Sequence, residues 1–434
     1  MSMHKDTLCI GIFGLGTVGS GILSILSQNE EVIFQRLGKR VYVKTICIRD
    51  LSKRRLFNLE GVRVTDDPSV ILNDPEIDIV VEVMGGENPA FAYIKAALEN
   101  KKYVVTANKE VISKHKQLFF ECAKQNGVDV YFEASVGGGI PIIRSLKVGY
   151  AANKIQSFFG ILNGTTNYIL TKMDEEKQAF ESVLAEAQAL GFAELDPTMD
   201  VSGMDVAYKL TILAAAAFKI NVGIDDIFYE GIENIHLEDI LYARQFGYVI
   251  KLLAIGKRLS DQKVCLKVHP TMVPIGHPLA AVRNEFNALF VNGNALGESM
   301  LYGKGAGSLP TASAVVADII DIGFDTALQN SRRNLEIEFL QENLVPVDQL
   351  SSKFYLRLSV ADMVGVLEKV TAVFGRHKVS VANLIQREND RGLAELVIVT
   401  HEVAESNMNH ALGELRNLFE VQSIQAVIRV GLDE

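Results

Sequence analysis

Short apolar runs alternate with amphipathic stretches through the first third of the chain. The runs TLCIGIFG (7–14), VYVKTICI (41–48), IDIVVEVMG (77–85), KYVVTAN (102–108) and VDVYFEAS (128–135) are rich in Val and Ile, with little polar alternation. That is the pattern of strands buried on both faces. Helical periods separate them, as in NPAFAYIKAALENKK (88–102). Such alternation predicts an α/β, Rossmann-type doubly wound nucleotide-binding domain over residues 1–137.

From about Gly137 the pattern changes. Glycines cluster in SVGGGIPII (135–143) and GILNGTTNYIL (160–170). The spacing then predicts helices over EEKQAFESVLAEAQALG (175–191), with Gly191 as its cap, and MDVAYKLTILAAAAF (204–218). Strands are expected at KVCLKVHPTMV (263–273) and ALFVNG (288–293). YGKGAGSLPTASAVVADIIDIG (302–323) reads as a glycine-rich loop feeding a helix. That helix, from about 308–323, is expected to return to the first sheet and complete its domain. Residues 138–307 are left as an α+β substrate-binding, catalytic and dimerisation domain. Residues 324–350 read as a connecting segment and a polar linker containing Pro346. The last 84 residues, 351–434, give the order βαββαβ of a ferredoxin-like domain.

Composition narrows the function. The chain has 434 residues, 48 % hydrophobic and 22 % charged, which fits a multidomain globular protein with a large core. A formal net charge of −10 with no long basic block argues against nucleic acid as the main partner. The longest apolar run, Leu210 to Phe218, is too short to cross a bilayer. The N-terminal MSMHKDTLCIGIFG lacks the cleavage site of a signal peptide. Cys9, Cys47, Cys122 and Cys265 are scattered without a CxxC pair, as expected for reduced core thiols in a cytoplasmic protein.

CIGIFGLGTVGSG places Gly14, Gly16 and Gly19 as G-x-G-x-x-G directly after a strand and at the start of a helix. The first glycine suits the tight turn, the second the approach of a pyrophosphate, the third close helix–strand packing. The next strand ends in ICIRDLSKRR. Arg49, with Lys53 and Arg54 after it, suits the 2′-phosphate of NADP, whereas Asp50 would suit the 2′-hydroxyl of NAD. The order favours NADP and leaves NAD open. VVTANKEVI puts Asn108 and Lys109 just past a strand's carboxyl end, where open α/β sheets bind ligands.

GFAELDPTMDVSGMDVAYK (191–209) gathers Glu194, Asp196, Asp200 and Asp205 before Lys209 and an apolar helix. Asp205 and Lys209 lie four apart, so on a helix they share a face. A buried ion pair is costly unless it has partners or a task. An ordinary solvated loop is the plainer alternative.

Together these residues resemble the homoserine dehydrogenase family. Its pattern joins an alanine, a glycine, an Asx-Pro pair and D-[aliphatic]-x-G-x-D-x-x-x-K. Here they are Ala187, Gly191, Asp196-Pro197, and Asp200-Val201-Ser202-Gly203-Met204-Asp205 followed by Lys209. GLGTVG, EVMGG, TANKE, EASVGGGIPI, NGTTNYIL and YGKGAGSLPTASAVVAD match further blocks, so the resemblance covers essentially the whole chain. The tail resembles the ACT regulatory domain.

The resemblance implies interconversion of L-homoserine and L-aspartate 4-semialdehyde with NADP or NAD, in threonine, methionine and isoleucine biosynthesis. It makes Lys209 the general acid/base and Lys109 its catalytic partner. Glu194 and Asp205 would hold the substrate ammonium and orient the lysine, with Asp200 a further acid. Cofactor contacts fall at Gly14, Gly16, Thr17, Val18, Gly19, Arg49, Lys53, Asn108, Lys109 and Gly307. A hydride carries no proton, so a separate group must serve the oxygen. A lysine acting as base implies an oxidation rate that climbs toward alkaline pH.

The family also implies a monovalent cation, Na+ or K+, at Glu133, Val136, Gly138 and Ile140. The same glycines would equally serve a hinge. In the tail, the family turn D-x-P-G-V-L reads Asp362-Met363-Val364-Gly365-Val366-Leu367, with Val364 for proline. Asp362, Gly365 and Asn383 match positions around an amino-acid effector, by implication L-threonine. The other reading of the tail is a dimerisation module without ligand. A homodimer or homotetramer is expected. An inactive amino-acid sensor on the same fold would have lost Lys109, Lys209 or a motif glycine, and all are present.

Overall fold

Five of the six parallel strands in the first sheet arise where Val and Ile run without polar alternation. The computed structural model describes residues 7–52, 59–328, 339–340, 343–389 and 392–432. In it, β1 (Thr7–Phe13), β2 (Arg40–Cys47), β3 (Arg63–Thr65), β4 (Ile79–Glu82), β5 (Tyr103–Thr106) and β6 (Val130–Tyr131) pair in the order β3-β2-β1-β4-β5-β6. Every pairing is parallel. The order reverses between β1 and β4, the crevice where such sheets take dinucleotides. β6 stops short of the predicted run, because Glu133–Ser135 coil into a 3₁₀ turn.

The chain divides into two compact units. The first comprises Met1–Gln156, Thr211–Ile224 and Asn287–Gln341; the second comprises Ser157–Leu210, Asp225–Phe286 and Glu342–Glu434. In the first unit, helix Ser308–Leu328 packs along helix Thr17–Gln28. Ala312, Val315, Ile319 and Ile322 share one core with Ile10, Ile12, Ile22 and Ile46. A Cβ on Gly21 would lie 2.6 Å from the Ser308 carbonyl oxygen, so the two helices touch backbone to backbone there.

In the second unit the strand Tyr248–Ser260 pairs antiparallel with Lys263–Pro274 along its length. The first of these strands lay unassigned in the sequence reading. Lys263–Pro274 also receives Val421–Val430 in parallel, Thr271 opposite Arg429. That strand belongs to the C-terminal βαββαβ module, whose strands lie in the order Val421–Val430, Ser351–Ala361, Leu393–Thr400, Val381–Asn389. Its own core holds Phe354, Leu356, Val370, Phe374, Ile398, Met408 and Leu415. The fold class is therefore a parallel Rossmann-like sheet, a mixed sheet and a ferredoxin-like tail.

The helix expected over 175–191 is two helices. Gly164–Glu176 ends at Lys177, whose φ of 56° breaks the period, and Phe180–Ala189 begins anew. The predicted glycine cluster GTTNYIL is thus helical. Gly191, with φ of 78°, follows the second helix in the left-handed conformation that a glycine adopts without strain. The four cysteines are free thiols. No helix among the described residues is long and apolar enough to cross a membrane.

Candidate active site

The glycine turn of the first unit is shaped by what is missing from it. Gly14 has φ of 101°, and a Cβ there would sit 2.9 Å from the Val83 carbonyl oxygen. A Cβ on Gly19 would fall 2.4 Å from the Gly14 carbonyl oxygen. Both glycines are thus required by the protein's own packing. At Gly16 a Cβ would meet nothing within 4 Å. Gly16 caps the helix Thr17–Gln28 through its backbone, with no side-chain hydrogen bond to the helix's first N–H groups. Open space beside a helix N-terminus, where the helix dipole favours negative charge, fits a pyrophosphate. Thr17 and Val18 open that helix, and the Thr17 carbonyl accepts from Ser308 Oγ at 2.7 Å. Gly307, at φ of 117°, precedes Ser308.

Arg49 is exposed just beyond β2. Asp50 Oδ1 accepts from the Ser52 N–H at 2.9 Å and its hydroxyl at 2.6 Å, forming a local turn. Lys53 lies outside the described residues. At the tip of β5, Asn108 caps the helix Lys109–Asn126: its Oδ1 accepts from the Val111 N–H at 3.2 Å. Its Nδ2 donates to the Gly86 carbonyl at 2.7 Å. Lys109 is the first residue of that helix and half-buried. Beneath sits Glu82, fully buried, which sequence reasoning left without a role. Its carboxylate accepts from Thr106 Oγ1 at 2.6 Å and the Met84 N–H at 2.8 Å, and Thr106 Oγ1 in turn accepts from the Asn108 N–H at 3.0 Å. Glu82 thereby joins the EVMGG and TANKE loops. Burial pushes its carboxyl above the usual range, against those donors.

Glu133 is buried behind the glycine-rich turn. Its carboxylate accepts from the N–H groups of Ile143 and Arg144 at 2.8 and 2.7 Å. Burial raises it to about 7, with those two donors opposing the shift. Gly138 packs with its Cα against Gly305, where a Cβ would lie 2.5 Å from the carbonyl oxygen. Val136 and Ile140 are buried in the same turn.

In the second unit the acids of the 191–209 stretch separate into distinct tasks. Asp205 is 2 % exposed and lies at the start of helix Met204–Phe218. Its Oδ2 accepts from Lys209 Nζ at 2.6 Å and from Asn163 Nδ2 at 2.8 Å. Lys209 Nζ also donates to the Leu162 carbonyl at 2.6 Å. Asn163 Nδ2 reaches Asp200 Oδ1 at 2.7 Å, and Thr165 Oγ1 reaches Asp200 Oδ2 at 3.1 Å. The Asn163 Oδ1 caps the helix Gly164–Glu176 by accepting from the Thr166 N–H at 2.8 Å. One asparagine therefore fixes a helix start and bridges both acids. In the sequence it stood at the head of the NGTTNYIL block, within a segment read as a glycine cluster, with no role assigned to it.

Asp196 forms a turn, accepting from the Thr198 hydroxyl at 2.6 Å and N–H at 3.1 Å. The Thr198 hydroxyl and N–H hold its carboxyl below the usual range. Glu194 is exposed, and among the described residues no hydrogen bond joins its carboxylate to the Asp205–Lys209 pair. Gly203, at φ of 84°, separates the two acids and backs onto the Glu230 carbonyl, 3.0 Å from where a Cβ would stand.

In the C-terminal module, Asp362 and Gly365 share the turn before helix Val366–Arg376, and Gly365 has φ of 89°. Asn383 is not brought to them within this chain. Leu393–Thr400 runs between their strands, and the register sets Asn383 opposite Val399 and Tyr355 opposite Val399. Tyr355 is six residues (361 − 355) from the Ala361 end, about 20 Å along the strand.

Comparison with known proteins agrees in all three regions. Residues 14–133 match the model described as homoserine dehydrogenase, NAD binding domain; 141–320 match homoserine dehydrogenase; 354–420 match the ACT domain. A homoserine dehydrogenase of Bacillus subtilis is 42 % identical over 424 residues, covering 97 % of this chain and 98 % of that one. The crystal structure of a homoserine dehydrogenase from Thiobacillus denitrificans superposes with a TM-score of 0.91 at 39 % identity, over 98 % of each chain. A hyperthermophilic archaeal homoserine dehydrogenase in complex with NADPH matches at a TM-score of 0.61 and 26 % identity, over 75 % of this chain and 100 % of that one.

Proposed function

The chain belongs to the homoserine dehydrogenase family, an NAD(P)-dependent oxidoreductase acting between L-homoserine and L-aspartate 4-semialdehyde, and from that premise we propose the following roles. Lys209 is the general acid/base. The observation that carries this reading is the clamp on its ammonium group, between Asp205 Oδ2 and the Leu162 carbonyl, at the head of a buried helix. Asp205 orients it, and Asp200 and Glu194 offer carboxylates to the substrate ammonium. As free amine Lys209 takes the alcohol proton; as ammonium it donates to the aldehyde oxygen. Lys109 assists at the same oxygen or at the substrate carboxylate. A nicotinamide cofactor supplies the hydride acceptor. An inactive sensor is not favoured, since every catalytic position of the family pattern is filled.

NADP is the preferred cofactor. Asp50, the residue that would favour NAD, is engaged by Ser52, and Arg49 is exposed at the strand tip. The cofactor is held at Gly14, Gly16, Thr17, Val18, Gly19, Arg49, Lys53, Asn108, Lys109 and Gly307, within a domain of residues 1–137 plus the helix from about 308–323. Residues 138–307 act on substrate, and 351–434 regulate. Glu133 with the carbonyls of Val136, Gly138 and Ile140 holds Na+ or K+. L-threonine binds at Asp362, Gly365 and Asn383. Because one protomer keeps Asn383 apart from the other two, a second copy completes that site in a cytoplasmic homodimer or homotetramer.

The test is the initial rate of homoserine oxidation with NADP and with NAD, for wild type and Lys209→Ala, with and without L-threonine. Near loss of rate in the variant, a wild-type rate climbing toward alkaline pH and inhibition by threonine are expected. Activity that survives Lys209→Ala moves the proton to another group, and a rate indifferent to threonine leaves the tail as a dimerisation module.

A further inference from the structure

One side chain of the C-terminal module contacts Glu230, beside the turn that carries Asp200 and Asp205. Arg429, on the strand Val421–Val430, is buried and makes three charged hydrogen bonds. Nε and Nη2 grip Glu405 Oε1 and Oε2 at 2.7 and 2.8 Å, within the C-terminal module. Nη1 instead crosses to Glu230 Oε2 at 2.6 Å. The guanidinium also lies over the rings of Phe228 and Phe354, 4.9 and 5.6 Å from their centroids. An arginine fork held bidentately on one side aims its remaining nitrogen with little freedom.

Glu230 is where that aim matters. Its N–H is bonded to the Val268 carbonyl at 2.8 Å, and Ile232 N–H donates to the Val201 carbonyl at 2.8 Å. Between them, Gly231 lies so near the turn that a Cβ would fall 1.9 Å from the Val201 carbonyl oxygen and 2.5 Å from Ser202 Cα. The Glu230 carbonyl abuts Gly203. Residues 230–232 therefore form the wall against which the turn from Asp200 to Asp205 is pressed. Displacing Glu230 displaces the backbone that spaces the two acids.

We propose that Arg429 is a positioning residue for substrate binding: through Glu230 and Gly231 it fixes the turn carrying Asp200 and Asp205, so that homoserine affinity depends on the seating of the C-terminal module. This rests on the reading of Asp200 and Asp205 as substrate-holding acids. It also gives an effector in the tail a route to the site, since any shift of the strand Val421–Val430 moves the arginine.

The experiment uses the full-length enzyme and five variants, Glu230→Gln, Arg429→Met, the double variant of these two, Arg429→Lys and Asp200→Asn. It measures kcat and KM for homoserine together with the KM for NADP. Glu230→Gln removes only the half-exposed end of the pair and leaves Arg429 bound to Glu405, so it tests the link even where Arg429→Met fails to fold. The expected result is a homoserine KM raised about tenfold in Glu230→Gln, with kcat and the cofactor KM little changed. Arg429→Met gives the same rise, the double variant adds nothing further, and Arg429→Lys recovers part of the loss. An unchanged homoserine KM in Glu230→Gln, with Asp200→Asn raising it, overturns the proposal and leaves the substrate reading intact. An unchanged KM in Asp200→Asn overturns the substrate reading itself. Effects of Glu230→Gln and Arg429→Met that add in the double variant also overturn the link, because residues acting through one contact do not add.

Discussion

The glycine turn after β1 and the acid cluster around Asp205 are built by opposite means. At Gly14, Gly16 and Gly19 the chain withholds side chains, and the anion-seeking element is the backbone at a helix N-terminus. Around Asp205 the chain crowds side chains together, and each carboxylate is set by a specific donor from elsewhere in the unit. A site made by absence has few ways to fail, all steric. A site made by a network fails wherever one donor is lost, because a buried carboxylate without its partner is costly. The contrast also divides the acids of one short stretch: Asp205 and Asp200 belong to the network, Asp196 only to a turn.

Removing the network's cation has the largest expected effect. Lys209→Ala lowers kcat for homoserine oxidation by about 10²–10⁴-fold, with NADP affinity retained, as read by steady-state rates and cofactor titration. Loss of cofactor binding in parallel would show that the two sites fail together and erase the contrast. Next come the glycines. Gly19→Ala forces a Cβ against the Gly14 carbonyl and costs about 1–3 kcal/mol in urea unfolding. Gly16→Ala meets open space, so it leaves stability nearly unchanged and weakens NADP binding alone. Equal destabilisation by both would mean that Gly16 serves the fold and not a ligand.

Asn163→Ala sharpens the other side. It strips a donor from Asp200 and from Asp205 and uncaps a helix, with an expected stability loss of about 1–3 kcal/mol. It also raises the homoserine KM. A stability loss with no change in KM would confine Asn163 to the helix cap. The smallest effect belongs to Asp196→Ala, a slight loss of stability in urea unfolding from the lost turn bonds, with kcat and the homoserine KM unaltered. A rise in the homoserine KM comparable to that of Asp200→Asn would place Asp196 among the substrate acids after all.

The sequence by itself determined whatever rests on local sterics and period. Unalternated Val and Ile runs located five of the six strands of the first sheet, and G-x-G-x-x-G after a strand located the tight strand–turn–helix passage at Gly14–Gly19. The tail's βαββαβ order could be read because its apolar periods switch cleanly between strand and helix. Asp205 and Lys209 were legible as a pair since four residues return a helix to the same face. Tertiary structure alone decided the rest. It broke the helix expected over 175–191 at Lys177, and it recruited Asn163 from 37 and 42 residues away to bridge Asp200 and Asp205. It also buried Glu82 beneath two loops, and it set Asn383 at the far end of the sheet from Asp362. The physical reason is common to all of these. Backbone preference and hydrophobic period act between neighbours in the chain, whereas the partner of a buried polar group is chosen by whatever the fold brings within about 3 Å of it.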